Sequence, residues 1–397
     1  MLSRLGLALV AGSLVAASSG CAGHHDAGPG HSLGAAPSAS PRRSAPRQSA
    51  PRPSPGAGCS AAAVLGTWSL ERRAAQLVVV PAEEDDVLAV RSLVADGAGG
   101  IILFGADAPP DLPANLATLR AAASGPTPLI MTDEEGGEVQ RMANLAGSLP
   151  WPRTMAATMT VAQVRALADQ VGRGMRAAGV TMDLAPVLDL SDGSGPDAAD
   201  PDGPRSFSIN ASIATAYGLA FARGLQEGGV IPVVKHFPGL GQASYNTDFG
   251  PAFDPPLSAL KAGSLRPFEA AIAAGLPAIM VGNVSIPGLT GSLPATLSAP
   301  AITGLLRHQL GFRGLVLTDS LSALAVQDAG YSVPQAAARA IEAGADMVLF
   351  DSPDPDATTN EVIASITSAA TSGRLPAARL DDAVQRVLSA KNVSLCP

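Results

Sequence analysis

The chain has 397 residues and a formal net charge of −8 at pH 7; 47% of the residues are hydrophobic, 15% charged and 4% aromatic. That length suits about two to three ordinary domains, or one α/β barrel with appendages. With 26 basic residues against 34 acidic ones and no lysine cluster, nucleic acid is excluded as a partner. Residues 1–58 hold five arginines (Arg4, Arg42, Arg43, Arg47, Arg52) and one acid, Asp26, so the acidity is concentrated in residues 59–397. Histidine divides the same way. His24, His25 and His31 precede residue 59, and only His236 and His308 lie beyond it, too few for a multi-histidine metal site.

In chain order, residues 1–20 open with Met-Leu-Ser-Arg, run apolar over Leu5–Ala17 and end in Ser18-Ser19-Gly20. A short apolar run after a basic start, with small residues at the cut, reads as a signal peptide and not a membrane span. Cys21 directly after it resembles a bacterial lipoprotein cleavage site, where the cysteine becomes lipid-modified; plain secretion with a free cysteine is the alternative. Residues 21–58 are mostly Ala, Pro, Ser and Gly, a composition that cannot bury enough apolar surface to order itself. The segment reads as a linker holding the domain 59–397 away from a membrane. Cys59 and Cys396 stand at the two ends of that domain, and in an oxidising compartment a bridge between them would close it; a pair of free thiols is the alternative.

Within the domain are eight apolar runs: Gln76–Val80, Gly99–Phe104, Pro128–Thr132, Thr181–Leu190, Val230–His236, Ala278–Val284, Gly314–Thr318 and Asp346–Phe350. Most are continuous, as parallel strands covered on both faces should be. Helical spacing lies between them, as in Val87, Val90, Val94 and in Leu380, Val384, Val387, Leu388. Gly97, Gly179, Gly229, Gly275 and Gly344 fall where helices should stop before the next strand. Eight strand–helix units without a Gly-x-Gly-x-x-Gly turn predict a single (β/α)8 barrel of the TIM type. Chemistry in such barrels sits at the carboxyl ends of strands. Asp133-Glu134-Glu135-Gly136-Gly137, Lys235-His236-Phe237-Pro238-Gly239 and Asp319-Ser320 occur at those places.

These segments resemble the family 3 glycoside hydrolases, and in particular the single-barrel bacterial β-N-acetylhexosaminidases. The likeness rests on the segment from Asp133 to Arg141 and on Leu184-Ala-Pro-Val-Leu-Asp189. It rests further on Arg205-Ser-Phe207, Lys235-His-Phe-Pro-Gly239, the segment from Gly311 to Asp319, and the segment from Ala343 to Leu349. The resemblance implies Asp319 as the nucleophile of a retaining glycosidase, since that chemistry needs a carboxylate below the anomeric carbon and a separate proton donor. It implies sugar-holding roles for Asp133, Arg141, Arg205, Lys235 and His236. A carboxylate can accept from two adjacent hydroxyls, and arginine and lysine donate to oxygen. The alternative for each is a buried ion pair in the barrel mouth. Glu135 is expected to stabilise its Gly-Gly turn, and Asp183 and Asp189 to be structural. Asn283, at another strand end, either contacts substrate or satisfies backbone groups. Tyr245, Phe249, Phe207 and Trp151 are candidates for an apolar wall, with core packing favoured for Phe207 and Phe237.

One departure matters for function. The subgroup places Asp-Ser-His in the loop after Lys-His-Phe-Pro-Gly, and that histidine is its acid/base. Counted without gaps, this chain has Asn246-Thr247-Asp248 there. Three readings are open: Asp248 replaces the imidazole with a raised pKa; the barrel binds sugar with little or no turnover; or another carboxylate such as Asp254 approaches. The expected protein is an exported, lipid-anchored exo-glycosidase acting on terminal β-linked N-acetylglucosamine or a related β-sugar. A catalytically impaired sugar-binding lipoprotein is the alternative. No cofactor or metal is implied, the partner is carbohydrate, and membrane contact is through the lipid alone. Oligomeric state and the natural glycan stay open.

Overall fold

Eight parallel strands close into a barrel in the computed structural model, which describes residues 60–396. The signal peptide, the linker, Cys21 and Cys59 lie outside the described residues; Cys396 is disulfide-bonded. The strands are β1 (Val78–Glu83), β2 (Gly100–Phe104), β3 (Leu129–Thr132), β4 (Met182–Asp183), β5 (Ile231–Phe237), β6 (Ala278–Val281), β7 (Leu315–Ser320) and β8 (Met347–Leu349). Each pairs with its sequence neighbours, and β1 closes on β8 through Val78 against Val348 and Val79 against Leu349. Every one of the eight apolar runs overlaps a strand, and three of the strands run one to three residues past the end of their run. The fourth shortens most, because after Asp183 the chain leaves the ladder, apart from a single bridge between Val187 and Lys235.

The strands are buried because both faces are covered: one by the barrel interior, the other by helices. Capping sets the helix starts. Thr160 and Gln163 form a reciprocal capping box before Val161–Ala178, and Asn210 accepts from Ser212 and Ile213 before Ala211–Glu227. These two helices pack so closely that a β-carbon at Gly224 would stand 2.3 Å from the Arg165 carbonyl oxygen. The five glycines expected to stop helices all have positive φ, from 72° at Gly275 to 121° at Gly344. The Val87–Val94 spacing is not one continuous helix. It is a 3-10 segment, Glu84–Val90, with a non-helical Asp86, followed by a short α-helix, Arg91–Ala95.

An ion cluster ties the amino-terminal end of the barrel to its outer helices. Asp346, immediately before β8 and fully buried, accepts from the Val316 amide at 2.9 Å. Arg307 reaches it at 2.5 Å, Arg379 at 2.9 Å and Arg386 at 3.1 Å. Arg307 belongs to the helical segment Pro300–Gln309, and the other two belong to Ala377–Ala390. Arg379 and Arg386 also share the half-exposed Asp382, at 2.9 and 2.6 Å, so removing Asp346 would strip the nearly buried Arg307 of its one carboxylate partner and leave the three cations close together. Asp346→Ala should therefore destabilise the domain by about 3–5 kcal/mol, read as the urea midpoint; a loss under about 1 kcal/mol would show that the arginines find other partners.

Candidate active site

The carboxyl ends of the strands surround a cavity of about 370 Å³. Asp133 enters it just after β3, Lys235 and His236 from within β5, Asp319 from within β7, and Asp248 from the loop after β5. Arg141 comes from a small hairpin, Glu134–Gly136 paired with Val139–Gln140, and Arg205 from the 3-10 turn Gly203–Arg205. All seven residues expected at the site thus line one cavity. Phe104, Val139, Leu184 and Leu240 supply its apolar wall.

Lys235 is the electrostatic centre. Its side chain is 3% exposed, and its Nζ lies 2.6 Å from Asp133 and 2.6 Å from Glu135. Burial works against the ammonium, but those two carboxylates hold its pKa above the ordinary lysine value. Glu135 is gripped on its other side by Arg205, whose Nε and Nη2 each donate at 2.8 Å. Burial would push the Glu135 carboxyl up; Arg205 and Lys235 outweigh it and hold the group below its usual range. Its role therefore differs from the expected turn stabilisation. Glu135 positions two cations that face the cavity, while its neighbour Glu134 orders the hairpin, accepting from the Arg141 and Met142 amides at 2.6 Å each.

His236 is fixed by Asp189. One Asp189 oxygen accepts from the His236 amide at 2.9 Å and sits 2.6 Å from Nδ1, while the other accepts from the Leu240 amide at 2.7 Å. Burial pushes Asp189 up to about 7 against these donors; burial also lowers the His236 pKa, with Asp319 acting in the opposite sense. With Nδ1–H donated to Asp189, Nε2 is left to the cavity. Asp189 is structural as expected, and its structural task is to aim His236.

Asp319 accepts from the Ser320 amide at 2.8 Å. Burial raises its pKa; nearby His236 lowers it and Asp248 raises it again. Asn283 does not reach for substrate: its amide donates to the Ser320 carbonyl at 2.7 Å and its oxygen accepts from Thr296 at 2.7 Å. Asp248 is exposed at the cavity mouth; its amide donates to Asn246 Oδ1 at 3.0 Å, and the protein around its carboxyl desolvates it enough to raise its pKa, with Arg205 acting in the opposite sense. Asp254 is 3% exposed and does not line the cavity, which removes it as a rival proton donor. Phe207 is core, against Tyr217 and Phe221, and Phe237 packs on Phe268 at 5.6 Å. Trp151 covers the hairpin turn, where a β-carbon on Gly137 would stand 2.0 Å from the indole.

Behind the cavity lie two carboxylates that no motif singles out. Asp202 and Asp254 are buried, and no side-chain oxygen of either has a hydrogen-bond partner. Burial pushes Asp202 up to about 8, helped by Asp189, and Asp254 well above its usual value. Among the described residues, Asp189, Asp202 and His236 bring three ligand-type atoms within 4.8 Å of one another. Residue spacing alone indicates no such grouping. Asp189 is already engaged with His236 and Leu240, and burial disfavours the charged form of Asp202.

The fold and the site define the class. Residues 69–390 match the model of the glycosyl hydrolase family 3 N terminal domain, and the chain belongs to that family. It is therefore a glycoside hydrolase, with a carbohydrate substrate. Among its relatives, beta-hexosaminidase LpqI of Mycobacterium tuberculosis is 38% identical over 331 residues, 80% of this chain and 81% of that protein. A family 3 glycosyl hydrolase from Mycobacterium smegmatis superposes with a TM-score of 0.76 at 37% identity, covering 84% of this chain and 98% of the other. A β-N-acetylhexosaminidase from Beutenbergia cavernae gives 0.73 at 33%, covering 82% and 99%.

Asp202 gives the domain a readable pH dependence. Its folded pKa, about 8, lies above the ordinary 3.8, so the folded state binds the extra proton between those values. Its contribution is fully present below pH 3.8 and is lost as pH rises through about 8. Asp202→Asn should flatten the fall in urea midpoint between acidic and mildly alkaline pH. A fall as steep as the parent's would mean that Asp202 is ionised throughout.

Proposed function

We propose that the protein is an exported, lipid-anchored retaining exo-glycosidase that removes terminal β-linked N-acetylglucosamine from wall-derived or other oligosaccharides. Asp319 is the nucleophile and Asp248 the acid/base. The observation that carries this reading is the presence of both carboxylates on one cavity that also holds the Asp133–Lys235–Glu135–Arg205 network. The substrate is taken from the activity for which the relatives are named, beta-hexosaminidase.

In this reading Asp133, Arg141, Arg205, Lys235 and His236 hold the hydroxyl and carbonyl oxygens of the terminal sugar. Asp319 attacks the anomeric carbon while Asp248 gives its proton to the leaving oxygen. The resulting glycosyl ester is hydrolysed by a water that returns a proton to Asp248. The raised pKa of Asp248 suits a group that must begin protonated. Asp319 must begin ionised, and the Ser320 amide and the cations of the site favour that form.

On aryl β-glycosides, Asp319→Ala should lose about a thousandfold or more in kcat. Asp248→Ala should lose about 10²–10⁴-fold, least for the most acidic leaving groups, and added azide should restore part of the rate. Full activity in Asp319→Ala would overturn the nucleophile assignment. Sugar binding without turnover in the parent would assign the chain to a sugar-binding lipoprotein instead.

Cys21 carries the anchor in this proposal, with residues 21–58 as the tether and 59–397 as the catalytic domain. Cys21→Ser should move the protein from the membrane fraction to the soluble one. Unchanged membrane retention would remove the lipid.

A further inference from the structure

Aromatic residues are scarce in this chain, at 4%, and the fold hides nearly all of them. Among the described residues, the exposed aromatic side chains are Tyr245, Phe249 and Phe253, at 37%, 55% and 44%. All three fall in one nine-residue stretch, and that stretch carries Asp248. Solvent-facing aromatics cost solubility and contribute nothing to the core, so their confinement to the acid/base loop calls for a ligand.

The loop is built to present them. Its base is closed by Ser244 and Phe253, which exchange an amide-to-carbonyl bond and an amide-to-hydroxyl bond at 3.0 Å each. Within it Asn246 and Thr247 are buried and anchored: Asn246 donates to the Asp197 carbonyl at 3.2 Å, and Thr247 accepts from Ala325 at 3.0 Å. The tight turn from Asn246 to Phe249 then sends Tyr245, Asp248 and Phe249 to the exposed side. The Thr247–Ala325 bond also brings up Leu324, which is 41% exposed.

We propose that Tyr245 and Phe249 form a leaving-group subsite for a second pyranose ring, outside the cavity that holds the terminal sugar. The inference rests on Asp248 as proton donor. An acid must stand beside the glycosidic oxygen, so whatever lies beyond that oxygen leaves past Asp248. An aromatic face stacks on the C–H face of a pyranose, and two such faces flank the acid in sequence. The substrate class is thereby narrowed to oligosaccharides with at least one sugar on the leaving side.

The test measures binding, so it stands whether or not the chain turns over. In an Asp319→Asn background, calorimetry should show N,N′-diacetylchitobiose binding more tightly than N-acetylglucosamine. Phe249→Ala should weaken the disaccharide about tenfold and the monosaccharide less than about twofold. Tyr245→Ala should act in the same direction, and Phe249→Trp should restore affinity. Equal weakening of both sugars, or of neither, overturns the subsite. If Phe249→Ala instead abolishes sedimentation with anionic vesicles and leaves both sugar affinities intact, the patch belongs to a lipid surface and the proposal fails. Failure of the catalytic reading shows separately, as full turnover of aryl glycosides by Asp319→Ala.

Discussion

A single buried ammonium organises the mouth of this barrel. Lys235 sits on β5, almost fully shielded, where an isolated cation would be expelled or deprotonated. It stays charged because Asp133 and Glu135 converge on it from the end of β3, and Glu135 in turn requires Arg205 from a turn 70 residues further along. Neither carboxylate arrives correctly unless the hairpin after β3 is closed, and Arg205 does not arrive unless the long connection after β4 is ordered. That connection has its own supports. Arg153 donates to the carbonyls of Ser191, Gly193 and Gly203, and Asp200 accepts from the amides of Gly195, Asp202 and Gly203. Charge neutralisation at one lysine thus commits three separate segments to one geometry, which is the geometry that can hold a sugar.

Asp319, the proposed nucleophile, is treated differently. Asp319 has no direct cationic partner among the described residues and is supported instead through the backbone: its own oxygen takes the Ser320 amide, and Asn283 holds the Ser320 carbonyl. The nearby cations are held by Asp133 and Glu135, which leaves Asp319 outside the ion-pair network and, in its proposed role, available to attack. His236 is aimed by Asp189, 2.6 Å from Nδ1, and burial disfavours its charged form.

Much of this is legible in the residues, for reasons that differ by element. Continuous apolar runs report strands covered on both faces, and all eight overlap one; the glycines mark helix ends because positive φ costs other residues more. The hairpin Glu134–Gln140 leaves little trace because its strands are two and three residues long and largely polar. Glu135 is misread from sequence because its partners, Arg205 and Lys235, are far along the chain, and its Gly-Gly neighbour offers a local explanation. Asp202 leaves no trace in the sequence, and Asp254 stands out there only as a spare carboxylate near the loop, because burial without a hydrogen-bond partner is a property of the packed fold. Asp319 and Asp248 can be singled out only through family resemblance, since a carboxylate at a strand end is also an ordinary helix cap.

The loop that bears Asp248 is held through Asn246 to Asp197 and Ala198, Thr247 to Ala325, and Phe253 beside Ser285, while its tip at Asp248 and Phe249 is exposed. Its turns are closed by its own side chains and by neighbouring loops, while the densest ion cluster supporting the fold, around Asp346, lies at the opposite end of the strands. Residues at the loop tip can therefore be exchanged with little consequence for folding. With Asp248 in its proposed role, a lineage carrying this architecture can trial different proton donors without rebuilding the ion network around Lys235. Aspartate in place of the histidine expected from the family resemblance is the kind of variation such a division of labour permits.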